Sequence, residues 1–234
     1  MADRLDKYIS KALNITRSEA KNLIKSKKVE IDGSVITDCS EMVVEKVKVN
    51  GKDINYKDKI YLMMNKPKGY VSATSDKEHP CVLDLVKEYK ELKIVGRLDI
   101  DTEGLLLLTN DGDLIHELTS PKKDIYKKYF VEIDGMFTCD MIDKFKNGFD
   151  ILDNDNKLFH TKEAKLEIID STHAYISISE GKFHQIKKMC HEVGGVVKSL
   201  KRVEIGDLKL DERLESGKYR ELGDKELEKI KGVK

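Results

Sequence analysis

Apolar residues recur at helical spacing in the first part of the chain. Leu5, Tyr8, Ile9 and Ala12 form one stripe over residues 3–13, and Ala20, Leu23 and Ile24 form a second, which predicts two short helices packed on each other. Thr16 and Glu19 stand at capping-box spacing and mark the start of the second helix. From Lys28 the period changes to two. Val29 and Ile31 alternate with polar residues, Asp32 and Gly33 supply a turn, and Val35 returns, which predicts a hairpin. Val43, Val44, Val47 and Val49 continue the strand pattern, and the polar run 51–59 reads as a linker, so the first domain is expected over residues 1–50.

The second domain is expected over residues 60–234. Ile60 to Met64 reads as a strand ending at the turn Asn65 to Gly69, and Val82, Leu83, Leu85 and Val86 suit a short helix. Val95 to Leu98 reads as a strand, followed by turn residues at 101–104. The run Leu105 to Leu108 suits a strand buried on both faces. Leu114, Ile115 and Leu118 predict a helix stopped by Pro121, and Met141, Ile142 and Phe145 predict another over 138–146. Alternation over 165–179 predicts a hairpin. Ile186, Met189, Cys190 and Val193 make a helical stripe closed by Gly194 and Gly195. A β pattern over 196–219 and a terminal helix carrying Leu227 and Ile230 complete the chain.

Composition narrows the class. Lysine plus arginine and aspartate plus glutamate both number 43 in 234 residues, so the total charge says nothing about an anionic partner. Its distribution says more. Eight basic residues (Arg4, Lys7, Lys11, Arg17, Lys21, Lys25, Lys27, Lys28) face three acidic ones (Asp3, Asp6, Glu19) in residues 1–28, a pattern open to a solvated helix face or to a phosphate-binding one. Cys39, Cys81, Cys139 and Cys190 are widely spaced and form no CxxC pair, which argues against a zinc or dithiol site. No apolar run approaches the ~20 residues of a membrane span. A reducing cytoplasm is the expected location.

The stretch VGRLDIDTEGLLLLTNDG, residues 95–112, concentrates the candidate chemistry. On an extended strand Arg97 and Asp99 would share a face and form an ion pair. Three readings are open: a β-arch with a solvated acidic turn, a calcium loop, or an aspartate kept ionised for catalysis. The calcium reading is weak, because Asn110 occupies the position that needs a bidentate glutamate. Lys187 and Lys188 lie off the apolar stripe of their helix, with His184 near its start, where they are either solvated or functional.

GRLDIDTEGLLLLTNDG, together with NKPKGY (65–70), KKYFV (127–131) and EGKFHQIKKM (180–189), resembles the RsuA-like family of ribosomal RNA pseudouridine synthases. RLDKYI and TRSEAKNLIKSKKVEIDG resemble the alpha-L RNA-binding domain of a small-subunit ribosomal protein. The fold implied is α+β. It has a small helix-helix-hairpin RNA-binding domain, then a larger catalytic domain on a mixed, mainly antiparallel β-sheet flanked by helices.

The activity implied is conversion of a specific uridine to pseudouridine in ribosomal RNA, without cofactor or metal. GRLDIDT, HPCVLDL (79–85) and LTSP (118–121) are more similar to the small-subunit enzyme than to its large-subunit relatives. A large-subunit target and a non-catalytic ribosome-assembly protein are the alternatives. By the resemblance, Asp99 is the catalytic carboxylate, Lys187 its ionic partner where the family often has arginine, and Tyr129 packs against the base and assists proton removal. Arg97 fills the space left by the extruded uridine. Arg17, Lys21, Lys25, Lys27, Lys28, Lys66, Lys127, Lys128, His184, Gln185 and Lys188 are the remaining expected RNA contacts. The partner implied is ribosomal RNA within a subunit precursor, met by a monomer and away from any membrane.

Overall fold

The computed structural model describes residues 3–43, 46–54, 59–89, 91–120, 123–153 and 155–231. The chain divides into two units, residues 1–58 and 59–234.

In the first unit, β1 (Asp3–Arg4) leads into α1 (Leu5–Leu13), and α2 (Arg17–Lys25) follows. The Thr16 side chain accepts from Glu19 N while the Glu19 carboxylate accepts from Thr16 N, the predicted capping box. Then come β2 (Val29–Ile31), β3 (Ser34–Val35), β4 (Met42–Val43), β5 (Val47–Val49) and β6 (Lys52–Ile54). The sheet order is β3-β2-β5-β6, and Leu5, Ile9, Ala20, Ile24, Val29, Val47 and Val49 form the buried core. Val44, part of the expected β pattern, lies outside the described residues.

The expected linker at 51–59 is corrected in its first half, because Lys52 to Ile54 pair with Val47 to Val49. Asn50 and Gly51 both have positive φ, 51° and 75°, and so make the tight turn that Asn-Gly favours.

The second unit contains β7 (Tyr61–Lys66), a 3-10 turn (Val82–Leu85), β8 (Lys93–Val95), β9 (Glu103–Thr109), α3 (Gly112–Thr119), β10 (Lys127–Asp134) and α4 (Met141–Asn147). The hairpin β11 (Asp150–Leu152) and β12 (Leu158–His160) follows, then β13 (Ala164–Ile168), β14 (His173–Ile178), α5 (Gln185–Glu192), β15 (Val196–Ile205), β16 (Leu208–Lys209), β17 (Tyr219–Glu221) and α6 (Asp224–Lys231). Pro121, the expected helix stop, lies outside the described residues.

One sheet runs β13-β14-β10-β15-β9-β7-β17, with β16 beside β15 and β8 beside β9. Its β15–β9 pairing is parallel and its other pairings are antiparallel, so the fold is mixed α+β as expected. The four leucines of β9 divide between two cores by strand alternation. Leu106 and Leu108 join the core with Tyr129 and the helix α5 residues Ile186 and Met189, whereas Leu105 and Leu107 pack with Leu114, Leu118 and Ile230. Burial on both faces makes β9 a rigid post, and the Asp99 loop is attached to its N-terminal end. Among the described residues no helix is long and apolar enough to cross a membrane.

Candidate active site

A cavity of about 370 Å³ opens where the 97–102 loop, β10 and the turn before α5 meet. Asp99, Arg97, Tyr129, His184 and Lys187 line it, with Leu98, Ile178 and Leu200 supplying apolar wall. Its volume lies at the lower end for small-ligand sites, which suits a single nucleoside.

The loop is held from beneath by groups that the sequence does not advertise. Lys66, at the end of β7, is fully buried, and its ammonium donates to the backbone carbonyls of Pro67 (3.1 Å), Asp99 (3.0 Å) and Thr102 (2.8 Å). Burial pushes its pKa down to about 8, against the upward pull of the loop carboxylates Asp101, Asp99 and Glu103. The Ser72 hydroxyl donates to Leu98 O at 2.8 Å and accepts from Leu98 N at 3.1 Å, and Gly69 N donates to Ile100 O at 2.8 Å.

On the far side, buried Arg202 of β15 donates through Nε to Leu105 O at 2.8 Å. Its strand passes so close to Gly104 that a Cβ there would lie 2.2 Å from Arg202 O, at a φ of +103° that disfavours side chains. Glycine is required at 104 for both reasons. The loop that carries Asp99 is therefore fixed by several independent contacts, as a preorganised carboxylate requires.

Above the loop, the Lys187 ammonium from the first turn of α5 is 3.5 Å from Asp99 Oδ2. It also meets Asp101, at 2.6 and 2.8 Å from the two carboxylate oxygens. Burial raises the pKa of the Asp101 carboxyl, but the hydrogen bond and charge of Lys187 outweigh it and hold it below the ordinary value. The His184 ring places Nε2 3.6 Å from Asp99 Oδ2. Tyr129 is 8 % exposed and sits at a register shift between β10 and β15, a local irregularity of the kind that re-aims side chains near sites.

The expected Arg97–Asp99 pair and the RNA contacts expected of Lys66 and Gln185 are corrected, and Lys127, Lys128 and Lys188 each have a partner within the protein. Arg97 and Asp99 do not share a strand, because β8 ends at Val95 and Gly96 turns the chain at φ 71°. Asp99 is paired by Lys187 and His184 instead, and exposed Arg97 stands on the cavity wall. Lys66 cannot receive RNA, because it has no exposed surface and its donors are spent on carbonyls. Gln185 is likewise 2 % exposed, donating to Glu180 and accepting from Lys182 N, so it fastens its own turn. Lys128 alternates to the sheet face opposite Tyr129, where it meets Glu167 at 2.8 Å and the Tyr175 ring. Lys127 donates to Ser179 O, and burial pushes its pKa down. Lys188 donates to Leu152 O at 2.6 Å, away from Asp99.

In the first unit, Lys25, Lys27 and Lys28 are exposed. Arg17 and Lys21 are gathered at 3.1 and 3.9 Å around the buried carboxylate of Asp6. Asp101, Phe183 and the buried Arg202 are site elements that sequence reasoning missed. Asp101 could have been found from its offset of two residues from Asp99, and Phe183 from its place beside His184.

Residues 60–192 match the model of the RNA pseudouridylate synthase family, and residues 3–46 match the S4 domain. The chain is 40% identical over 234 residues to a protein of Aquifex aeolicus described as an uncharacterized RNA pseudouridine synthase, covering 97% of this chain and 96% of that one. It is 37% identical over 232 residues to ribosomal small subunit pseudouridine synthase A of Escherichia coli, covering 97% and 99%. A solved structure described as a pseudouridylate synthase superposes with a TM-score of 0.68 at 36% identity, covering 97% of this chain and 99% of that one. With three of the four motifs lining one cavity, the fourth bracing its loop through Lys66 and Gly69, and matches that run nearly end to end, the chain belongs to the RNA pseudouridylate synthase family and carries an S4 domain ahead of its catalytic unit.

Proposed function

We propose that this enzyme isomerises a specific uridine of small-subunit ribosomal RNA to pseudouridine, with Asp99 as the catalytic carboxylate. The observation that carries the reading is the meeting of Asp99, Tyr129 and Lys187 at one cavity, with Lys187 3.5 Å from Asp99. The small-subunit target is supported by the 37% identity to the Escherichia coli enzyme over nearly both whole chains.

In the reaction the bond from ribose C1′ to uracil N1 breaks, the base turns, and C1′ bonds to C5. The C5 proton leaves and N1 gains one, so the atoms balance within the nucleotide and the residues above meet its needs without a cofactor. Asp99 supplies negative charge beside the sugar, Lys187 balances that charge, and Tyr129 packs on the detached base and assists removal of the C5 proton. The uridine must leave its stack, at a cost of a few kcal/mol, and Arg97 at the cavity wall occupies the vacated space. Exposed Lys25, Lys27 and Lys28 of the S4 domain hold phosphates and supply salt-sensitive affinity.

The test is tritium release from C5-labelled uridine in separate small- and large-subunit ribosomal RNA transcripts. Release is expected from the small-subunit transcript. Release from the large-subunit transcript alone would move the target, and release from neither would remove the activity.

A further inference from the structure

Among the described residues, Phe183 stands out from the other large apolar side chains that reach solvent. The others, from Leu13 to Val196, are aliphatic or methionine, whereas Phe183 is an aromatic ring 50 % exposed on the wall of the catalytic cavity. Its neighbour His184 stacks on it, with centroids 3.7 Å apart and planes 20° from parallel. His184 also holds a left-handed backbone conformation, φ 53° and ψ 26°, which is disfavoured for a residue with a side chain. That conformation sets the imidazole between the Phe183 ring and the Asp99 carboxylate, 3.6 Å away. The Lys188 ammonium lies 5.4 Å from the Phe183 centroid, adding a cation beside the ring.

Packing does not account for this arrangement, because half of the phenyl surface is left in water, where burial would be favourable. A π surface beside a lysine ammonium and an opening for an extruded nucleotide has the chemistry of a base-stacking platform. The deeper Tyr129, 8 % exposed, is placed to meet the target base itself. We propose that Phe183, backed by His184, is a stacking subsite for a nucleobase flanking the extruded uridine. The proposal rests on the reading of the cavity as an RNA site. Phe183 acts on binding and positioning, and takes no part in bond making.

A stacking contact contributes affinity without releasing counterions, so it has a signature distinct from that of a phosphate contact. The dissociation constant for a small-subunit ribosomal RNA transcript is measured across a range of salt for the full chain and for Phe183→Leu and Phe183→Tyr. Phe183→Leu is expected to weaken binding about tenfold at every salt concentration with an unchanged salt slope, and Phe183→Tyr to stay within about twofold of the parent. Leucine keeps the side chain apolar at an exposed position, so folding is not at issue. Unchanged affinity in Phe183→Leu, a flattened salt slope, or an equal loss in Phe183→Tyr would each overturn the stack. Because affinity is read without turnover, failure of the isomerase reading would show separately, as absence of tritium release by the unsubstituted enzyme.

Discussion

The ammonium of Lys187 lies 3.5 Å from the carboxylate of Asp99, near the outer limit of an ion pair. It sits closer to Asp101, at 2.6 Å, so one cation is shared by two carboxylates. Asp101 is 61 % exposed and belongs to the rim, whereas Asp99 lines the cavity.

If Lys187 supports the charge of Asp99, Lys187→Met should lower the single-turnover rate on saturating RNA by about a hundredfold or more. Lys187→Arg should retain much of the rate, since the role asks for charge within reach more than for a particular fork of donors. Lys188→Met should change the rate little, because Lys188 is turned toward Leu152 O. Equal losses at 187 and 188 would mean that both lysines serve only to hold RNA.

Lys66 is expected to act on the stability of the Asp99 loop. Lys66→Met leaves the Pro67 and Thr102 carbonyls without the donor they have now, and should destabilise the catalytic unit by about 2 kcal/mol at neutral pH. The pH dependence has a definite sign. With a folded pKa of about 8 against the ordinary lysine value of 10.5, the unfolded chain binds the proton more readily between those limits, so this group makes stability rise with pH across that window. Its contribution is complete above the unfolded value and is lost as pH falls through about 8. Urea unfolding at pH 7 and at pH 9.5 should therefore show a gain in the parent that Lys66→Met lacks. Parallel behaviour of the two proteins would contradict the buried-cation account.

Removal of residues 1–58 should weaken affinity for ribosomal RNA and flatten its salt dependence, because Lys25, Lys27 and Lys28 go with them. The remaining unit holds its own two apolar cores and should stay folded, which circular dichroism would report. An unchanged salt slope would give the S4 domain some other role.

Local chemistry made much of this legible in the sequence. The Thr16–Glu19 cap, the Asp32–Gly33 turn and the alternating leucines of β9 each carry their structural meaning in a few adjacent residues. Contacts made over distance were less visible. A lysine in a polar turn reads as exposed, and only the convergence of three carbonyls on Lys66 explains its burial. The expected Arg97–Asp99 pair failed because Gly96 breaks the strand period on which it depended. Asp101 read as turn chemistry, since the lysine that grips it is 86 residues away in the chain. The β6 strand was hidden by its polar side chains, although the Asn50–Gly51 turn before it was readable.

The most direct measurement compares Asp99→Asn with Asp101→Asn. Both carboxylates meet Lys187, both substitutions remove one negative charge with little change of shape, and only Asp99 lines the cavity. Single-turnover tritium release from C5-labelled small-subunit ribosomal RNA, with RNA affinity measured alongside, separates chemistry from binding. The account predicts that Asp99→Asn binds RNA within about twofold of the parent and shows no detectable isomerisation, while Asp101→Asn keeps its rate within about tenfold. Substantial turnover by Asp99→Asn, or its loss in Asp101→Asn alone, would contradict the assignment of Asp99 as the catalytic carboxylate.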